Sequence, residues 1–140
     1  MNAQFICLPS FSMTSISNFQ IAADEKSVKW HINDREVELK FDNPIFQALL
    51  LENKQQILVI TDIKESGRDN LFFYAADGFL FARPELLNAP EKIIGAYAIW
   101  YLEHQEEQTL ILLPEHRRDY DIKCLFNMNS LKCSDFSITR

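Results

Sequence analysis

Apolar and polar side chains alternate along Ser27-Val-Lys-Trp-His-Ile32 and again along Glu36-Val-Glu-Leu-Lys-Phe41, where Val37, Leu39 and Phe41 share one face. Asn33-Asp34 between them is turn chemistry, so the pair predicts a hairpin. Two shorter apolar runs follow, Ile45 to Glu52 and Ile57 to Asp62, separated by the polar Asn53-Lys-Gln-Gln56. Their length and the polar loops around them fit strands buried on both faces, although residues 45–52 also suit a helix. Residues 63–70 form a polar loop with a glycine, the kind of segment in which binding residues concentrate.

The run Asp69-Asn-Leu-Phe-Phe-Tyr-Ala-Ala-Asp-Gly-Phe-Leu-Phe-Ala-Arg83 predicts a second hairpin. A two-residue loop at Asp77-Gly78 would pair Tyr74 with Phe81 and Phe73 with Ala82. Phe72, Tyr74 and Phe81 would then share one face, and Phe73, Ala75, Leu80 and Ala82 the other. Both faces are mainly apolar, so the hairpin requires cover on both sides. Residues 84–92 suit a short helical turn. For Ile93 to Leu102, Asn88 and Pro90 resemble a helix start, but the β-branched and aromatic content and Gly95 favour a strand, which we adopt. Glu103 to Glu107 reads as a turn into the strand Thr109 to Leu113. A last hairpin, Tyr120 to Phe126 and Leu131 to Ile138, places Cys124 and Cys133 on one face, directly opposite with a two-residue loop and diagonally with a four-residue loop. The expected architecture is mainly β: about nine short antiparallel strands in a sandwich or partly closed barrel, with at most one or two short helices. The length of 140 residues suits one domain, with residues 1–25 either part of its fold or an irregular leader.

Charge narrows the partners. The net charge is −6, and each half of the chain holds 7 basic and 10 acidic side chains. No basic stripe exists to neutralise phosphates, which disfavours nucleic acid, whereas a basic protein partner suits an acidic surface. Cys7, Cys124 and Cys133 form no metal-binding spacing, and an odd count argues against a disulfide framework, so a reducing cytoplasm is expected. Residues 1–23 lack charge, but polar residues interrupt them and no basic segment precedes them, so neither an export signal nor a membrane span is expected.

Catalytic signatures are missing from the sequence. His31, His104 and His116 accompany no nucleophile motif, and Gly67, Gly78 and Gly95 stand alone instead of forming a phosphate cradle. Asp77 beside Gly78 lacks the other ligands of a calcium loop, and Arg117-Arg118 is too small a basic spot for nucleic acid. We therefore expect no enzyme, cofactor or metal. Candidate partner-binding residues are Asp62, Glu65, Arg68 and Asp69 around the first polar loop, the aromatic pair Trp100 and Tyr101, and the acidic Glu103, Glu106 and Glu107. The bland alternative for each is a solvated loop or a core aromatic.

Phe41-Asp-Asn-Pro-Ile45, the strand Ile57 to Ile60, Asn70 to Phe81 and Phe126-Asn-Met-Asn-Ser-Leu-Lys132 together resemble small bacterial immunity-type and orphan proteins associated with polymorphic or contact-dependent toxins. Ala75, Phe81 and Leu131 depart from that pattern, standing where it has Asp, Trp and a positive-φ Gly. The resemblance spans residues 41–140 and implies a protein that binds and blocks one cognate toxin, such as a nuclease. A small β protein that binds an apolar ligand is the alternative.

Overall fold

The computed structural model describes residues 15–86, 89, 91–115 and 120–139. Cys7, Asn88, Pro90, His116 and Arg117-Arg118 lie outside the described residues. Eleven strands form three antiparallel sheets, each a meander whose spatial neighbours are also neighbours in the chain. The first sheet holds β1 (Ile16–Ile21), β2 (Ser27–Ile32) and β3 (Arg35–Lys40). The second holds β4 (Gln47–Leu51), β5 (Gln56–Ile60), β6 (Leu71–Ala75) and β7 (Leu80–Ala82). The third holds β8 (Ile93–Trp100), β9 (Glu107–Pro114), β10 (Asp121–Asn127) and β11 (Cys133–Thr139). The sheets form no closed barrel. A single turn of helix, α1 (Ile63–Ser66), sits in the segment expected to be a polar loop, while the helical turn expected in 84–92 is not present among its described residues. Residues 16–21, in the segment read as either part of the fold or an irregular leader, form the edge strand β1, paired to β2.

The second sheet lies between the other two, because alternation along its strands sends apolar side chains to both faces. Ile57 and Val59 join Val28, Trp30, Ile32 and Val37 of the first sheet in one core. Leu58 and Ile60 join Ile99, Leu110, Leu112, Ile122 and Phe126 of the third sheet in the other. Residues 57–60 are wholly buried, as strands covered on both faces must be. Trp30, also fully buried, donates its indole N–H to the Ala76 carbonyl at 2.6 Å, which fixes the first sheet over the tip of the β6–β7 hairpin.

That hairpin differs from expectation at its tip. The Gly78 N–H bonds the Ala75 carbonyl and the Ala75 N–H bonds the Phe79 carbonyl, so the loop has three residues, 76–78, and the left-handed residue is Gly78 at φ 91°. Asp77 contributes as a turn acceptor, its carboxylate taking the Phe79 N–H at 3.1 Å. Tyr74 therefore pairs with Leu80, and a bulge at Phe81 restores the expected Phe73–Ala82 pairing. Phe73 and Tyr74 face opposite cores as alternation requires, but Phe79, Leu80 and Phe81 are exposed, so the second arm lacks the expected cover.

The third sheet meets the second through side-chain amides. Asn70, fully buried, donates to the Thr61 carbonyl at 2.7 Å and the Ala96 carbonyl at 2.9 Å, and accepts the Ala96 N–H at 2.7 Å. Gln47 repeats this with Ile99, accepting its N–H at 2.7 Å and donating to its carbonyl at 3.0 Å. The two amides take the place of a neighbouring strand along β8. Gly95 leaves the room: a Cβ there would stand 3.1 Å from Asn70 Oδ1 and 3.0 Å from Ile63 Cγ1.

Asn70→Leu should cost about 3 kcal/mol or more in urea unfolding, since it leaves one buried N–H and two buried carbonyls short of a partner at about 1–3 kcal/mol per unsatisfied group. Gly95→Ala should lose about 1–3 kcal/mol by crowding the same amide. An unchanged midpoint for Asn70→Leu would show that the amide does not hold the sheets.

Candidate partner-binding surface

The two expected acidic clusters have different fates. Around α1 the charged groups are consumed by the fold. Asp62 caps the helix, its carboxylate accepting the Lys64 N–H at 2.9 Å. Glu65 reaches back to the β3–β4 connection and accepts the Asn43 side-chain amide at 2.9 Å, the Asn43 N–H at 2.9 Å and the Asp42 N–H at 3.0 Å. Arg68 pairs with Asp69 at 3.3 Å, and the same Asp69 oxygen accepts the Leu86 N–H at 2.9 Å. This loop ties three segments together.

The Asn43 amide bond, helped by the two backbone donors, holds the Glu65 carboxyl below its ordinary value of 4.5 against the opposing effect of burial. A folded-state value below the unfolded one means that its contribution is complete above about pH 4.5 and is lost as pH falls through the depressed value. Glu65→Ala should therefore lower stability at neutral pH and flatten the decline of stability in acid, read from denaturant midpoints across that range. Parallel acid profiles for the two proteins would contradict this role.

At the far end of β8 the arrangement is more open. Trp100 points outward and is 58% exposed, whereas Tyr101 packs against the second core, so the pair splits between the two faces as alternation demands. Burial, and then the neighbouring Glu103 carboxylate, push the Tyr101 phenol above its ordinary range. Glu103 is itself engaged, accepting the Glu52 N–H at 2.9 Å and the Asn53 N–H at 3.2 Å in the β4–β5 turn. Glu106 accepts the Asn127 side-chain amide at 2.9 Å, and Glu107 opens β9 as an exposed carboxylate. Within the turn, Gln108 accepts the Leu102 N–H at 2.8 Å and donates to the Leu102 and Gln105 carbonyls at 2.7 and 2.9 Å. Leu102 and the acidic side chains thus project from a braced loop.

Two residues of this surface escaped the sequence reading. Tyr97 is 50% exposed and its ring stands 5.5 Å from that of Phe46, and Leu102 is 64% exposed. A bulge between Ala96 and Ala98 shifts the phase of β8, so strict alternation could not assign Tyr97 to a face.

A cleft of about 440 Å³ opens elsewhere, between the β7–β8 connection and the β10–β11 hairpin, with Arg83, Glu85, Leu86, Lys132, Cys133 and Phe136 on its wall. Of the described histidines, the His31 ring bonds the Asn18 amide at 2.9 Å and His104 occupies an exposed turn at φ 68°. Among the described residues no three His, Cys, Asp or Glu side chains are grouped to hold a metal ion, and no helix is long and apolar enough to cross a membrane. Comparison with protein-family models finds no match, and neither does comparison with curated proteins.

Proposed function

We propose that this protein acts by binding another protein, most specifically as a cytoplasmic immunity protein that covers the active site of a basic bacterial toxin such as a nuclease. The observation that carries the reading is the exposed Trp100 and Leu102 at the end of β8, immediately before the acidic loop that ends in Glu106 and Glu107. An exposed Trp on a rigid strand is a preferred anchor in protein interfaces. Carboxylates beside it would meet cationic side chains that otherwise hold phosphate, which favours a nucleic-acid-cleaving site among basic partners. The acidic groups around α1 suit this role less, since Glu65, Asp62 and Asp69 already hold the chain in place. The resemblance of residues 41–140 to immunity-type proteins supports the same reading.

The alternative, a binder of apolar small molecules, is served less well. Phe73 and Phe126 stack on each other in the core, with centroids 6.2 Å apart, and the cleft carries Arg83, Glu85 and Lys132 on its wall. A co-purifying apolar ligand in native mass spectrometry would favour it.

The decisive experiment takes the C-terminal toxin domain encoded beside this chain's gene and measures complex formation and protection of growing cells. Trp100→Ala should weaken the complex by about 2 kcal/mol, roughly 30-fold in Kd, without lowering Tm. Glu107→Lys should slow association most at low salt. Failure of the wild-type protein to bind or protect would overturn the immunity reading. Binding that ignores both substitutions would move the interface elsewhere.

A further inference from the structure

We propose that Cys133 and Cys124 form a thiol–disulfide exchange site in the cleft beside the C-terminal hairpin, where Cys133 attacks a low-molecular-weight disulfide and Cys124 resolves the resulting mixed disulfide. The proposal does not rest on the partner-binding reading.

The placement follows from the register. Phe126 pairs with Cys133 and the Asn127 N–H bonds the Lys132 carbonyl, so the hairpin closes with four loop residues and Cys124 lies diagonally across the ladder from Cys133. Both side chains pack on the core face of the third sheet, close enough for each thiol to alter the other's ionisation. Their depths differ. Cys124 is 2% exposed, whereas Cys133 is half-buried and forms part of the cleft wall. A bulge in β11 opposite Cys124, with Asp135 at φ 53°, breaks the regular ladder beside the pair. One sulfur is therefore presented to a ligand while its partner waits beneath.

The polarity of the pair follows the same geometry. The neighbouring Cys124 thiol holds the Cys133 thiol below its ordinary range against the opposing effect of burial. That pairing and burial together push the Cys124 thiol up. The first thiolate therefore forms at the mouth, and the thiolate is the nucleophile. Lys132 and Glu85 stand on the cleft wall, whereas the Arg83 guanidinium lies over the Phe72 ring at 4.7 Å, fixed by the Asp69 and Ser66 carbonyls at 2.7 Å each.

The chemistry balances in two displacements. Cys133 Sγ⁻ attacks one sulfur of the disulfide RSSR, forming the Cys133–S–S–R bond and releasing RS⁻. Cys124 then loses its proton to the departing thiolate and attacks Cys133 Sγ, forming the Cys124–Cys133 bond and releasing the second RS⁻. Two protein thiols are oxidised and one external disulfide is reduced to two thiols.

The test uses full-length protein carrying Cys7→Ser, treated with oxidised glutathione, acid-quenched at intervals and mapped by peptide mass spectrometry. The expected sequence is a transient glutathione adduct on Cys133 followed by a Cys124–Cys133 cross-link. Cys124→Ser should accumulate the Cys133 adduct without resolving it, and Cys133→Ser should leave Cys124 unmodified while the protein is folded, as checked by circular dichroism. Absence of the cross-link in the parent protein, or adducts on Cys124 before Cys133, would overturn the proposal.

Discussion

Everything in this fold depends on β5 being apolar on both sides. Gln56-Ile-Leu-Val-Ile60 sends Ile57 and Val59 one way and Leu58 and Ile60 the other, and none of the four is tolerable in water. A strand of that kind cannot belong to a two-layer sandwich with an open outer face. The chain therefore builds two covers, a three-stranded one before it and a four-stranded one after it, and the two cores share the middle sheet as a common wall. Trp30 on one side and Phe73 with Phe126 on the other are the largest groups that fill the spaces so created.

Stacking sheets brings backbone groups into places where water is excluded, and the remedy here is the primary amide. Asn70, Gln47 and Gln108 each present a donor and an acceptor in the spacing of a peptide group. A carboxylate or hydroxyl could satisfy one side of that arrangement but not both. The acidic residues serve a different need, that of exposed turns with spare N–H donors, which is why Glu65 and Glu103 are found bridging distant turns. Several carboxylates that look like a partner-facing cluster in the sequence are therefore cross-braces. Only contacts distant in the chain could reveal this: Glu65 binds residues 42–43, and Glu103 binds residues 52–53.

Local chemistry made much of the architecture legible. Alternation placed β2 and β3, the apolar runs placed β4 and β5, and Asp77-Gly78 placed the central turn to within a residue. What escaped depends on phase. Along β8 the inward residues Ile93, Ala96 and Ile99 recur every third position, because two bulges each insert a residue, so strict alternation fails there. The strand β1 was hidden because its only buried side chain is Ile16 and its polar residues obscure alternation. At Leu131 the immunity-type pattern has a positive-φ glycine, and the backbone adopts φ 61° with leucine in place, so the side chain's packing against the second core outweighs a local cost of about 1–2 kcal/mol.

The amides along β8 have a consequence for how copies of the chain behave toward one another. An edge strand with unpaired N–H and C=O groups is a template on which another chain can extend the sheet, and this one is long and apolar, at eight residues including Ile93, Ile99 and Trp100. Asn70 and Gln47 occupy the hydrogen-bonding positions of Ala96 and Ile99, so an incoming strand finds those sites filled. The same two side chains that join the sheets thus act as a guard against sheet extension and fibril growth. Loosening either one would expose an aggregation-prone edge before it unfolded the molecule.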